Sequence, residues 1–178
     1  LVAEPVKKKG FRATQVRVEY RPEHVHRHLH HITAMIDGAG LPPSQRALAV
    51  RIFTRLAEAE AKVHGTTVDK VHFHEVGAAD SIADIVGAAV GWDLLGVDTL
   101  VASPIPTGGG KIRIAHGECS IPAPATAELL RGVPLAASSV QNELTTPTGA
   151  AIVTSLASSF GPLPSMSIDA IGCGAGQR

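Results

Sequence analysis

Apolar residues recur along the chain at spacings that switch between two and about 3.6, and each switch predicts a change of element. Val16, Val18 and Tyr20 alternate with Arg17 and Glu19, the pattern of a half-buried strand, and Arg21-Pro22 closes it. Val25, Leu29, Ile32 and Ile36 then follow helical spacing until Gly38 and Gly40 end the run. Pro42 and Pro43 open a second helix, with Ser44 as candidate cap and a stripe through Leu48, Ile52, Leu56 and Ala59 that stops at Gly65. Val68 to Val76 reads as a strand. Ser81 to Leu95 reads as a helix in which Ser81 and Asp84 resemble a capping box, while Gly87 and Gly91 argue for close packing on a neighbour. Asp98 to Ala102 and Lys111 to Ala115 are expected as strands on either side of the Thr107-Gly108-Gly109-Gly110 turn. Pro122 to Arg131 and Pro147 to Phe160 have helical periodicity, and Met166 to Ile171 is expected as a last strand before a glycine-rich tail.

Strands and helices interleave without a repeat, which predicts an α+β fold: a mixed β-sheet flanked by helices, one main domain with a small helical lobe. The expected division is a histidine-rich strand and two-helix lobe over residues 1–66, and a mixed α/β core carrying the metal site over 67–178. With 178 residues, 44% of them hydrophobic, a core forms without covalent staples. The first residue, Leu1, is not Met, and the chain reads as a piece of a longer protein.

Charge narrows the partners. Sixteen Lys and Arg balance sixteen Asp and Glu, aromatics make up 3%, and the one run, Lys7-Lys8-Lys9, reads as a solvated linker, so a nucleic-acid partner is not expected. No apolar run approaches the roughly 20 residues of a membrane span, so no membrane partner is expected either. Cys119 and Cys173 stand apart, outside any Cys-x-x-Cys arrangement, which fits a reducing cytoplasm and offers no thiolate metal site.

Candidate chemistry concentrates in His72 through Asp84, where two histidines and three carboxylates occur together. On a strand His72 and His74 would share one face, and on the following helix Asp80 and Asp84 sit four apart on another. Neutral imidazoles suit late first-row divalent metals, and Glu75, Asp80 or Asp84 could complete the shell or act as bases. The plain alternative has Asp80 or Ser81 capping the helix and Asp84 complementing its dipole. Five of the nine histidines, His24, His26, His28, His30 and His31, fall on the first helix, where an i, i+4 pair could grip a divalent ion or a helix rim could simply tolerate imidazole. Gly108, Gly109 and Lys111 could let amides and an ammonium approach a phosphate, although a hairpin turn uses the same residues. Thr146 and Thr148 stand at an expected helix start, either an anion site or an ordinary cap. No nucleophile elbow is present, and neither cysteine has a local partner to activate it.

Taken jointly, several segments resemble the LarC family of nickel-insertion proteins: His26-Arg27-His28-Leu29, Leu56 through Gly65, His72 through Asp84, Ala115-His116-Gly117, Pro122 through Leu130, Glu143 through Ala151, and Ile171 through Gly176. The likeness covers nearly the whole chain. It implies a cytoplasmic, CTP-dependent nickel chelatase or cyclometallase, a lyase that inserts nickel into pyridinium-3,5-bisthiocarboxylic acid mononucleotide for the cofactor of lactate racemase. CTP with Mn²⁺ or Mg²⁺ would bind in a carboxy-terminal domain beyond Arg178, and a homo-oligomer is expected. On this reading His72, His74, His26, His28, His64 and His116 are metal ligands, and Glu75, Asp80 and Asp84 carry the chemistry. Gly108, Gly109, Lys111, Thr146 and Thr148 would face the nucleotide-like substrate. Two other readings compete: a passive nickel-storage or oligomerisation module, and a metal-dependent hydrolase of a phosphorylated small molecule.

Overall fold

A computed structural model describes residues 1–20, 27–73 and 79–176. Contacts divide the chain into two compact units, Leu1–Glu23 with Pro164–Arg178, and His24–Leu163.

In the smaller unit, Val2–Lys8 (β1) and Phe11–Arg17 (β2) form an antiparallel hairpin in register from Val2↔Arg17 to Lys8↔Phe11. Its two-residue turn needs positive φ at both positions, which Lys9 (50°) and Gly10 (89°) supply. Lys7 and Lys8 therefore lie within a strand, not in a linker, because the turn chemistry of Lys9-Gly10 outweighs the charge run. The strand expected at Val16 to Tyr20 begins earlier and ends at Arg17. Thr14 also bridges Gly174 in parallel, its N–H donating to the Cys173 carbonyl at 2.9 Å and its carbonyl accepting from Ala175 N at 2.9 Å.

The larger unit contains helices Leu29–Gly38 (α1), Pro43–Val63 (α2), Ala79–Leu95 (α3), Pro124–Leu129 (α4) and Pro147–Leu156 (α5). Its short strands are Val101–Ala102 (β3), Ile105–Pro106 (β4), Lys111–Ile114 (β5), Gly117–Ser120 (β6), Leu135–Ala136 (β7) and Ser159–Phe160 (β8). β3 pairs with β8 and β4 with β7 in parallel, while β5 and β6 form an antiparallel hairpin. The mixed α/β class holds, but among the described residues the expected single sheet is replaced by separate two-stranded pairs, three in this unit and the β1–β2 hairpin in the other. Prolines explain much of this, because Pro104, Pro106 and Pro134 have no N–H to extend a ladder.

Helix α2 is the centre of the unit. It packs against α1, α3, α4 and α5, burying Ala49, Ile52, Phe53, Leu56 and Ala57 completely. Each large side chain so buried contributes about 1.5–3 kcal/mol. Phe53 meets Phe73 edge to face at 6.4 Å. The packing thus runs across residue 66, where a lobe boundary was expected. Gln45, 6% exposed, ties α2 to α3 by donating from Nε2 to Asp93 Oδ2 at 2.8 Å.

Four sequence expectations are corrected. The strand from Val68 is instead a 3₁₀ turn at Val68–Lys70, closed by Lys70 N donating to Thr67 O at 3.0 Å, followed by an antiparallel bridge from Phe73 to Arg27. Helix α2 begins at Pro43 without a cap from Ser44, since Pro at the first turn leaves one fewer amide to satisfy. Helix α5 stops at Leu156 because Ser158 N donates to Leu100 O and draws the chain into β8. Met166 to Ile171 has no strand pairing among the described residues.

Candidate metal centre

The carboxy-terminal turn of α2 supplies one wall of a cavity of about 250 Å³. Glu60 and His64 are four apart and so share a helix face, and His64 Nε2 lies 3.3 Å from Glu60 Oε2. His64 is the residue at which α2 ends, with Gly65 just beyond it in the left-handed region (φ 62°). The opposite wall comes from the β5–β6 hairpin, whose turn Ala115-His116 is reversed by Gly117 at φ 108°. This turn brings the His116 ring to 4.9 Å from that of His64. His72, just past the 3₁₀ turn, lines the same cavity, and Ile114, Ala123, Pro124, Ala125 and Pro147 make the rest largely apolar.

A second group of imidazoles adjoins His72. Its ring centroid lies 4.1 Å from that of His28, the residue preceding α1. His28 Nδ1 is 2.9 Å from the Val71 carbonyl, which can only accept, so the neutral ring carries hydrogen on Nδ1 and its lone pair on Nε2. The His28 amide in turn donates to His31 Nδ1 at 3.1 Å. That places the His31 hydrogen on Nε2, which donates to His30 Nε2 at 3.1 Å. One carbonyl and one amide therefore orient three rings. Partial desolvation, then the neighbouring His30, His28 and Arg27, hold the His31 pKa below its usual value.

His28, His64, His72 and His116 are thus brought to two adjoining groups that share His72. His26, His74 and Glu75, also expected at the metal, lie outside the described residues. Among the described residues no three His, Cys, Asp or Glu side chains already converge as a metal site. The donors stand as pairs.

Asp80 and Asp84 lie in the first two turns of α3. Asp80 Oδ1 accepts from the adjacent Ser81 N at 2.8 Å within the first turn of α3. Asp84, one turn on, has its pKa raised by burial and then by Asp80. Neither is among the described residues lining the cavity.

The residues expected to face a nucleotide have local partners. Gly108 (φ 80°) pairs with Glu143, and a Cβ there would sit 1.9 Å from the Asn142 carbonyl oxygen. Gly109 has the Gln141 side chain 3.3 Å from where a Cβ would be. Lys111 Nζ bonds Glu118 Oε1 at 2.6 Å across the hairpin, and Thr146 Oγ1 accepts from Gly149 N at 3.2 Å to cap α5. Thr148, two residues on, is half-buried in the first turn of the same helix. Glu60, which lines the cavity beside His64, is the candidate side chain that sequence reasoning passed over. Its signal was the Glu60–His64 spacing on a helix, visible within Leu56 through Gly65 but given no role.

Compared with known proteins, residues 1–178 match a family model described as nickel insertion protein. The chain belongs to the nickel insertion protein family. A relative from Rhodopirellula baltica is 58% identical over 179 residues, spanning all of this chain and 45% of its own length. The pyridinium-3,5-bisthiocarboxylic acid mononucleotide nickel insertion proteins of Desulfitobacterium hafniense DCB-2 and Staphylococcus epidermidis RP62A are each 51% identical, over 100% and 96% of this chain and 44% and 43% of their own. The chain spans under half the length of these family members. No solved structure matches. No described helix is long and apolar enough to cross a membrane.

Proposed function

We propose that the larger unit is the nickel-handling part of an insertion protein. His64, His72 and His116, steadied by Glu60 and joined through His72 to His28, take up Ni²⁺ and present it to pyridinium-3,5-bisthiocarboxylic acid mononucleotide, the compound named for two of the relatives. The observation that supports this best is that three imidazoles from three separate elements line one cavity. Insertion needs a donor that holds the ion and then lets it go. Neutral imidazole is a borderline ligand suited to this, whereas thiolates would compete with the sulfur atoms of the acceptor. Glu60, accepting from His64 Nε2–H, leaves the lone pair on Nδ1 and orients the ring. His74 and Glu75, close to His72 in sequence, are further candidate donors, and Asp80 and Asp84 belong to the surrounding field. Use of CTP with Mn²⁺ or Mg²⁺, lyase chemistry, a cytoplasmic setting and supply of the cofactor to lactate racemase belong to the whole protein on this reading.

Titration calorimetry with Ni²⁺ tests it. The His64→Ala/His116→Ala variant is expected to bind at least about tenfold more weakly than wild type, and acid should weaken binding because protons compete with the metal for imidazole nitrogen. Equal affinities would sink the assignment. A passive nickel store is the second reading, favoured by the ring contacts among His28, His30 and His31. It gains if several Ni²⁺ bind per chain and His30→Ala/His31→Ala removes the extra ions while insertion persists.

A further inference from the structure

We infer that the hydrocarbon lining of the cavity beside His64 is a seat for a flat heteroaromatic ring, and that the acceptor enters it after the ion, with its two sulfur-bearing groups toward the imidazoles and its ribose phosphate outside. The inference rests on the nickel-handling role proposed above and adds where the acceptor binds and in what order.

Two unlike sets of groups line the cavity. Glu60, His64, His72 and His116 are the titratable ones among the described residues, and they come from the end of α2, the segment after the 3₁₀ turn, and the β5–β6 turn. The starts of α4 and α5 add no such group: they contribute Ala123, Pro124, Ala125 and Pro147, and Val63 and Ile114 extend the hydrocarbon. Ala123 and Ala125 are 5% and 6% exposed, so this surface is fixed in the fold, and their single methyl groups leave the space in front of them open. Pro124 and Pro147 are rigid and have no N–H to direct a hydrogen bond. A mostly apolar lining with a few polar groups that fix orientation is the composition of a small-molecule site.

Size limits what enters. At about 250 Å³ the cavity is smaller than the roughly 300–1,000 Å³ of pockets that enclose a whole drug-sized ligand, so it takes one substituted ring and leaves a sugar phosphate outside. The acceptor named for two relatives has the matching shape: its thioacid groups stand at ring positions 3 and 5, and its ribose is on the ring nitrogen at the opposite end. With the 3,5 edge at an ion held by His64, His72 and His116, the ribose points away from the imidazoles.

Glu60 sets the order. Its carboxylate lies 3.3 Å from His64 Nε2, where it repels the acidic edge of the ring until Ni²⁺ supplies positive charge. Nickel therefore binds first, and ion and acceptor strengthen each other's binding by the same factor.

Calorimetry on the protein with and without Ni²⁺ tests this, with pyridinium-3,5-dicarboxylic acid mononucleotide, the oxygen analogue, as probe. Ile114→Ser and Val63→Ser, the second at a side chain already 39% exposed, take hydrocarbon from the cavity without adding bulk. Each is expected to bind the probe about tenfold more weakly while holding Ni²⁺ as wild type does, with the circular dichroism spectrum unchanged. Ni²⁺ is expected to raise probe affinity about tenfold in wild type and to have no such effect in His64→Ala/His116→Ala. Ribose 5-phosphate, which lacks the ring, is expected not to compete. Absence of probe binding to the nickel-loaded protein, binding that both serine variants leave unchanged, or competition from ribose 5-phosphate as strong as from the probe itself would overturn the ring seat. A probe affinity that Ni²⁺ does not raise would overturn the order of binding. Each of these results leaves the nickel assignment standing, because that assignment fails only if Ni²⁺ itself binds wild type and His64→Ala/His116→Ala equally.

Discussion

The imidazoles of His28 and His72 lie 4.1 Å apart, and the carbonyl of Val71, next to His72, fixes which nitrogen of His28 carries hydrogen. His72 is consequently the meeting point of two histidine groups, one orienting itself around the start of α1 and one lining the cavity at the end of α2. An ion reaching either group has a donor of the other within a short step. This arrangement depends on the bridge between Phe73 and Arg27, which holds the two segments side by side, and Phe73 is anchored in turn by Phe53.

Glu60 should matter to metal binding without touching the metal. Glu60→Gln keeps the size and the hydrogen-bond acceptor but removes the charge that favours His64, so Ni²⁺ affinity is expected to fall by about 10–100-fold with the circular dichroism spectrum unchanged. In the His64→Ala background the same substitution should do little, because its effect passes through that ring. Calorimetry on the four proteins gives the answer. A full effect of Glu60→Gln in the absence of His64 would show that the carboxylate acts directly.

Helix α2 was legible because Leu48, Ile52, Leu56 and Ala59 repeat at helical spacing between Pro43 and Gly65, so local pattern and tertiary packing agree. The β1–β2 hairpin was not. Its signal is the two-residue turn Lys9-Gly10 at the end of the lysine run, with Pro5 interrupting the strand before it. Candidate ligands were legible by residue type, but not by grouping. His64 and His116 meet because the β5–β6 hairpin lies against the end of α2, a long-range contact that periodicity does not encode. The glycines at 108 and 109 have packing neighbours that the sequence did not announce: the Asn142 carbonyl leaves no room for a Cβ at Gly108, and the Gln141 side chain lies beside Gly109.

Gly108→Ala should therefore be a folding defect. The left-handed φ alone costs about 1–3 kcal/mol, and the clash with Asn142 O adds to it. Lys111→Met, which removes an exposed ion pair with Glu118, should cost under about 1 kcal/mol. Urea unfolding followed by circular dichroism compares them directly. If Gly108→Ala kept its stability but lost affinity for inorganic phosphate, the loop would act as an anion site.

The Gln45–Asp93 bond predicts a pH-dependent clamp between α2 and α3. Hydrogen bonds from Gln45 and then Ser44 hold the Asp93 carboxyl below its ordinary value of 3.8. A depressed carboxylate stabilises the fold above that value, and the contribution disappears as pH falls through the lower folded value. Gln45→Leu should thus be less stable than wild type at pH 7, with the gap narrowing steadily as pH falls from about 5 toward 3. Thermal melts across that range check this, and a gap that stays constant with pH would mean that Asp93 is not the partner that matters.

Asp84 makes the opposite forecast. Burial first, and the neighbouring Asp80 second, raise its pKa above the ordinary 3.8, so the folded protein binds that proton more tightly than the unfolded chain does. The penalty for ionising it is absent at low pH, grows as pH rises through 3.8, and is fully present above the folded value. Asp84→Asn should accordingly raise the melting temperature at pH 7 and leave it nearly unchanged at pH 3. Asp80→Asn should act in the same direction at pH 7 by removing the repulsion, tempered by loss of its contact with the Ser81 amide. A residue kept for metal chemistry commonly destabilises its own fold, so the decisive comparison pairs the melts with Ni²⁺ titrations. If Asp84→Asn stabilises and binds Ni²⁺ as wild type does, Asp84 is a strained helix residue outside the metal centre. If it stabilises and binds about tenfold or more weakly, the carboxylate belongs with His72 after all, and the ion draws on α3 as well as on the two histidine groups.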